Sequence, residues 1–199
     1  MTELVLASTS ASRRAMLEAA GVPFDALPPK VDEEELKVSL RKAGASPRAQ
    51  ADALAEAKAV KISMRLPGAL VLGSDQILAT ADGGTLDKAP DMAALREQLL
   101  SLRGQAHRLI SAAVIAENGS PAWRHADTAQ LWVREFSEGW LDDYLAAEGD
   151  ELLWGVGGYR IEGLGVQLFS RLSGDQFTIR GLPLVPVLDY LRTRGVIAA

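Results

Sequence analysis

LVLASTSASRRAML, residues 4–17, changes character twice within one short span. Leu4–Ala7 is an apolar run bounded by hydroxyls, and it predicts a buried strand. Ser8, Thr9, Ser10 and Ser12 follow, then the adjacent Arg13 and Arg14. Ser12 is a candidate N-cap and Gly21 stands just past the end, so a helix is expected over 12–20. A helix N-terminus offers unpaired backbone N–H groups and a partial positive charge. Two arginines oppose that dipole, and a bound anion would relieve the conflict. The forked donors of arginine suit phosphate oxygens. A capped helix with solvated arginines is the other reading, and this stretch alone leaves both open.

Working outward, PFDAL at 23–27 is a candidate second strand. PPKVDEEE then breaks the chain with prolines before an acidic cluster. Residues 47–64 begin with Pro47 and are rich in alanine, which suits a long helix packed along one side. ALVLG at 69–73 reads as a fully buried strand that ends at Ser74 and Asp75, with QILAT resuming as strand beyond. ADGG is a turn. Residues 91–102 form an amphipathic helix starting near Asp91. Residues 107–117 and 123–135 predict a hairpin around NGSP. A helix over 137–148 has Ser137 as its cap and Gly149 after it. Residues 155–165 are glycine-rich, and Leu184–Arg194 reads as a closing helix behind Pro183. Alternating strands and helices with a central hairpin predict an α/β fold with a mixed sheet.

The chain has 199 residues, with 48% apolar and 24% charged residues, as expected of one globular domain spanning 1–199. A formal net charge of −5 argues against a basic surface for a nucleic-acid polymer. With no cysteine, disulfides and thiolate zinc sites are excluded. The first residues lack a basic segment before the apolar run, and no stretch reaches the ~20 apolar residues that span a bilayer. A cytoplasmic location without membrane contact is expected. Neither a P-loop nor GxGxxG is present.

Several side chains could carry chemistry. Asp75 in LGSDQIL follows a buried strand, where α/β proteins place ligands. It could take a proton from water or hold a divalent metal, or simply form a turn. Among Asp32, Glu33, Glu34 and Glu35, a metal or water contact competes with a solvated helix start. Lys58 lies among alanines and could reach a phosphate or solvent. Lys88 in LDKAPD stands in a loop. GYRIEGLG at 158–165 puts Glu162 among glycines, where a carboxylate could accept from the N–H groups of a purine. His107 and His125 stand in no metal-binding spacing.

In this order the motifs resemble the Maf family of nucleoside triphosphate pyrophosphatases. The matching segments are LASTSASRR at 6–14, VDE at 31–33, LAEAKA at 54–59, LGSDQIL at 72–78, DK at 87–88, GYRIEGLG at 158–165 and GLPL at 181–184. The resemblance implies a twisted mixed sheet flanked by helices, with two lobes around a central cleft. It implies cleavage of a nucleoside triphosphate between the α and β phosphates with Mg2+ or Mn2+. Asp75 would be the general base, and Glu33 with Asp75 would hold the metal. Ser8, Arg13, Arg14, Lys58 and Lys88 would grip the triphosphate. Ser12, Gln76 and Glu162 would set base specificity, with Gln76 and Glu162 resembling the branch that acts on 7-methyl-GTP. Ser12 departs from the residue expected in either branch, and Ala89 departs from the usual Lys-Pro order. Homodimers are common in the family. The family's link with septum formation implies an alternative, a regulatory binding protein in cell division. A kinase or another phosphatase is a third reading.

Overall fold

A computed structural model describes residues 3–198. The element order is β1 (Leu4–Ala7), α1 (Ala11–Ala19), β2 (Asp25–Ala26), α2 (Glu33–Lys42), α3 (Pro47–Ser63), β3 (Leu70–Thr80) and β4 (Thr85–Leu86). There follow α4 (Met92–Leu102), β5 (Ala106–Glu117), β6 (Ser120–Val133), α5 (Glu138–Glu148), β7 (Phe169–Ser173), α6 (Gln176–Ile179) and α7 (Leu184–Thr193). Short 3-10 helices occupy Gly149–Trp154 and Leu164–Leu168. The seven strands form one mixed sheet in the order β2-β1-β3-β5-β6-β7, with β4 paired to β3. The α/β expectation holds.

Most elements are where local chemistry puts them. Pro47 opens α3 behind a Ser46 cap, Asp91 caps α4 and Ser137 caps α5. Asn118 and Gly119 both take positive φ, 52° and 78°, as the two-residue hairpin turn between β5 and β6 requires. Some expectations are corrected. The cap of α1 is Ser10, whose Oγ accepts from the Arg13 N–H, and Ser12 lies inside the helix. The strand expected over 23–27 shrinks to Asp25–Ala26. β3 runs unbroken through Asp75 rather than ending there. β4, β7 and α6 are too short to leave a periodic signal.

The chain divides into two compact units. The first holds the residues up to Gln76, Ile110–Asp127, and those from Gln176 onward. Here β1 pairs in parallel with β2 on one edge and with β3 on the other, from Leu4↔Leu70 to Ala7↔Gly73. Side chains alternate across a strand, so these pairs sort into two faces. Leu4, Leu6, Leu70 and Leu72 pack with Met16 and Leu17 of α1 and with Leu184, Val187 and Leu191 of α7. Val5, Ala7 and Val71 point the other way, onto Ile62 of α3. Helices thus cover both faces, which explains why β1 and β3 are uninterrupted apolar runs.

Gly73 sits on the α3 face. A Cβ there would collide with the Ala55 carbonyl oxygen and lie 2.7 Å from the Ala59 nitrogen. The α3 backbone therefore rides directly on β3. Ala55 and Ala59 are a helical turn apart, and Lys58 shares their face.

The second unit holds Ile77–Leu109 and Thr128–Asp175. Arg96 of α4 binds Glu138 at 2.7 Å and Asp142 at 2.8 Å on α5. Its interior includes His107, 1% exposed, with Nε2 2.6 Å from the Tyr159 hydroxyl. Burial pulls the His107 imidazole down to about 4, and burial first of all raises Tyr159 well above the ordinary phenol value.

Two outcomes are expected. Gly73→Ala should lower the unfolding free energy by about 1–3 kcal/mol, read from denaturant midpoints, because backbone must move. His107 excludes a proton that the unfolded chain takes up near pH 6.5. Its contribution to stability is complete above that value and is lost as pH falls toward 4. Between pH 6.5 and 5 the wild type should lose about 2 kcal/mol that His107→Asn does not.

Candidate functional site

The parallel strands of the first unit lie in the order β2-β1-β3, so the chain leaves β1 in one direction and returns on its other side. Such a reversal opens a crevice beyond the carboxyl ends of the strands. β1 stops at Ala7, opposite Gly73. Ser8 follows immediately, and β3 continues past its lost neighbour to Asp75. A strand that outruns its partner gives Asp75 the setting expected of a strand end, although the strand itself goes on.

Strand alternation puts Asp75 on the same face as Val71 and Gly73, toward α3. There the Lys58 ammonium meets it at 2.5 Å and meets Glu33 Oε2 at 3.0 Å. Lys58 is 5% exposed and Asp75 6%. Glu33 comes from the first turn of α2, whose Asp32 cap accepts from the Glu35 N–H at 3.0 Å. Both readings of the acidic cluster therefore hold at once. It starts a helix, and one of its members reaches inward. The loop before it contains Lys30, at φ +47°, and the Lys61 ammonium donates to the Lys30 carbonyl. Lys61, one turn beyond Lys58 on α3, thus ties down the loop that delivers Glu33.

The opposite face of β3 carries Ser74 and Gln76. Four consecutive carbonyls, Thr178 to Gly181, accept from side chains around them. Gln76 Nε2 donates to Thr178 and Ile179, each at 3.0 Å, and lies 3.0 Å from Ser111 Oγ. Ser111 Oγ donates to Thr178 at 2.7 Å. Ser12 Oγ donates to Arg180 at 3.2 Å. The Gly181 carbonyl accepts from Arg13 Nε at 2.7 Å and from Ser74 Oγ at 2.9 Å. Gly181 has φ +97°, and a Cβ there would press on the Arg13 guanidinium at 3.4 Å. Glycine is therefore the residue that lets Arg13 lie against this segment.

Ser8 Oγ accepts from the Ser10 N–H at 3.1 Å and from an Arg13 terminal nitrogen at 3.5 Å. Burial lowers the Arg13 guanidinium below its ordinary value, while the charges of Asp75 and Glu33 pull it back up. Arginine still remains charged. Its electrostatic coupling to both carboxylates shows that the α1 cap and the α3 ion cluster share one field. Arg14 is exposed on α1.

Of the residues singled out from sequence, the structure brings together Ser8, Ser12, Arg13, Glu33, Lys58, Asp75 and Gln76 in the first unit. Lys88 and Glu162 belong to the second unit and are exposed. Glu162 sits in a turn closed by the Gly163 N–H donating to the Arg160 carbonyl at 3.1 Å. Glu148 holds that turn, accepting from Arg160 at 2.8 Å and from the Leu164 N–H at 3.1 Å. Sequence reasoning passed over Lys61, Ser74, Ser111, Glu148 and the carbonyls of 178–181. The odd–even alternation along an unbroken β3 would have flagged Ser74 and Gln76 as facing away from Asp75.

Among the described residues no cluster of three acidic or histidine side chains could by itself hold a metal. The carboxylate pair of Glu33 and Asp75 nevertheless fits Mg2+ or Mn2+. These hard cations take oxygen ligands, and Mg2+ typically binds one or two carboxylates and completes its shell with phosphate oxygens and water. Both carboxylates converge on the Lys58 ammonium.

The first unit thus joins a buried Asp75, a part-exposed Glu33, an arginine at the entry of α1 and a strand-order reversal in one α/β site. The Maf-like protein family matches residues 3–194, and the chain belongs to the Maf family. A nucleoside triphosphate pyrophosphatase of Sphingopyxis alaskensis is 50% identical over 97% of this chain and 98% of its own length. A 7-methyl-GTP pyrophosphatase of Mesorhizobium japonicum is 48% identical over 99% of each. Among solved structures, a HAM1 protein from Coxiella burnetii aligns with a TM-score of 0.44 at 17% identity, covering 67% of this chain and 73% of its own. Among the described residues no helix is long and apolar enough to cross a membrane.

Gln76→Ala should lower the unfolding free energy by about 1–3 kcal/mol, because it strips donors from buried carbonyls. Chemical denaturation beside wild type checks this.

Proposed function

We propose that this protein hydrolyses a nucleoside triphosphate between its α and β phosphates, giving a nucleoside monophosphate and pyrophosphate. The observation that carries the reading is the convergence of Glu33 and Asp75 on Lys58, with Arg13 in the same field. Relatives named nucleoside triphosphate pyrophosphatase at about half identity support it. In this reaction Asp75 takes a proton from water. The water oxygen bonds to the α phosphorus, and the bridging bond to the β phosphate breaks. Arg13, Lys58 and the Ser8 hydroxyl bind phosphate oxygens, with Arg14 and Lys88 adding charge from exposed positions. Phosphoryl transfer depends mainly on such positioning and charge neutralisation. Mg2+ or Mn2+, held by Glu33 and Asp75, would supply further neutralisation of the phosphates.

The base favoured is 7-methylguanine. The Glu162 carboxylate can accept from the N1–H and the exocyclic amino group of guanine. Methylation at N7 adds positive charge to the ring, which an acid also favours. The 7-methyl-GTP pyrophosphatase among the relatives supports this choice. Gln76 and Ser12 act on specificity from behind, since their polar atoms hold the 178–180 carbonyls. A cytoplasmic homodimer completes the reading.

Pyrophosphate release should be measured with Mg2+ on 7-methyl-GTP, GTP, dTTP and UTP. Wild type should prefer 7-methyl-GTP. Asp75→Asn should lose about 100-fold or more in rate while remaining folded. Glu162→Gln should narrow the gap between 7-methyl-GTP and UTP. An equal fall on every nucleotide would rule out base reading by Glu162, and orthophosphate as the product would rule out the reaction itself.

A further inference from the structure

Lys58 is placed strangely for a residue meant only to grip phosphate. Its ammonium is 2.5 Å from Asp75 and 3.0 Å from Glu33, and lies between the two carboxylates that suit a divalent cation. We infer that Lys58 is a resident cation of this site, filling the metal position until a metal–nucleotide complex displaces it onto the phosphates. This rests on the pyrophosphatase reading for the destination of the ammonium. The occupancy itself rests on geometry alone.

The charge balance explains why such a device is useful. Asp75 and the Lys58 ammonium are buried while Glu33 is part-exposed, and a buried charge is costly unless it is paired and hydrogen-bonded. Lys58 meets both, and Arg13 adds a second positive charge nearby. The nucleotide-free site is thus close to neutral within itself and has little attraction for a free divalent ion. A metal arriving alone would have to push an ammonium off two carboxylates and leave it unpartnered in a buried position. A metal arriving on a triphosphate brings the replacement partners, because the phosphate oxygens accept the displaced ammonium. Binding of metal and nucleotide is then coupled through one side chain, and Asp75 is released from Lys58 only when substrate is present.

The chain allows the movement. Lysine has a four-carbon stem with freely rotating bonds and three donors, so its head can swing while the stem stays packed. The α3 backbone beneath it cannot follow, being held against Gly73.

The test is Mn2+ binding to nucleotide-free protein, followed by electron paramagnetic resonance. Wild type should bind weakly. Lys58→Met should bind at least about tenfold more tightly, since a like charge at the metal position is removed. Lys58→Arg, which keeps the charge, should stay near wild type. Arg13→Gln removes an equal charge that does not touch the carboxylates, and should tighten Mn2+ much less than Lys58→Met. Thermal melting establishes that each variant is folded. If Lys58→Met is not, Lys58→Gln, which is neutral and can still donate to both carboxylates, decides in its place. Unchanged or weaker binding in the neutral variant overturns the inference. Equal tightening by Arg13→Gln overturns it too, since that signals a general field. The pyrophosphatase reading is judged separately, by pyrophosphate release from wild type. Tighter Mn2+ binding by Lys58→Met with no release from any nucleotide would sink that reading and leave the resident cation standing.

Discussion

The contact of Lys58 with Asp75 and Glu33 is built on the close approach of helix to strand that Gly73, lacking a side chain, permits. With any larger residue at that position the backbone of the third helix or of the strand would have to shift. The requirement passes upward in steps. Backbone packing at Ala55 and Ala59 fixes the height of the helix. The helix carries Lys58 on the same face. Lys58 then gathers a carboxylate from the strand below and another from the helix that precedes it. The buried Lys58–Asp75 pair is a weak source of net stability but strongly penalises the loss of one partner. Such an arrangement fixes position more than it adds cohesion.

The reversal of strand order around the first strand lets two sheet faces contribute to one field. Helices lie on both faces, so Lys58 approaches from one and Arg13 from the other. They meet electrostatically where the first strand has stopped and the third has not. Ser74 and Asp75, adjacent in sequence, consequently serve opposite faces. Asp75 faces the ion cluster. Ser74 holds the Gly181 carbonyl on which Arg13 leans.

Much of this was legible in the residues. The apolar runs at 4–7 and 70–73, the caps Asp91 and Ser137, the proline at 47 and the Asn-Gly turn each announce their element through local chemistry. The cap of the first helix lies two residues before the Ser12 that the sequence suggests, because serine is a good cap at either position. In the structure Ser10 accepts from the Arg13 N–H while Ser12 donates to the Arg180 carbonyl. In sequence Asp75 looks like the close of a strand because a polar pair usually is one. The strand continues because the fifth strand still pairs with it on the other side. Short strands such as Thr85–Leu86 are made by their partners and carry no pattern of their own. For the site, charged residues were visible as candidates. The carbonyls of 178–181 were not, because a backbone oxygen has no letter in the sequence.

Those carbonyls have one more consequence. Ser12 and Arg13 bind partners 168 residues further along the chain. During synthesis the first strand and helix emerge early, yet the segment that aims their arginine is made near the end. A nascent chain on the ribosome therefore carries the serines, the arginines and Asp75 without the support that orients them. Arg13 gains its backbone partner only once the 178–181 segment has folded back onto the first helix.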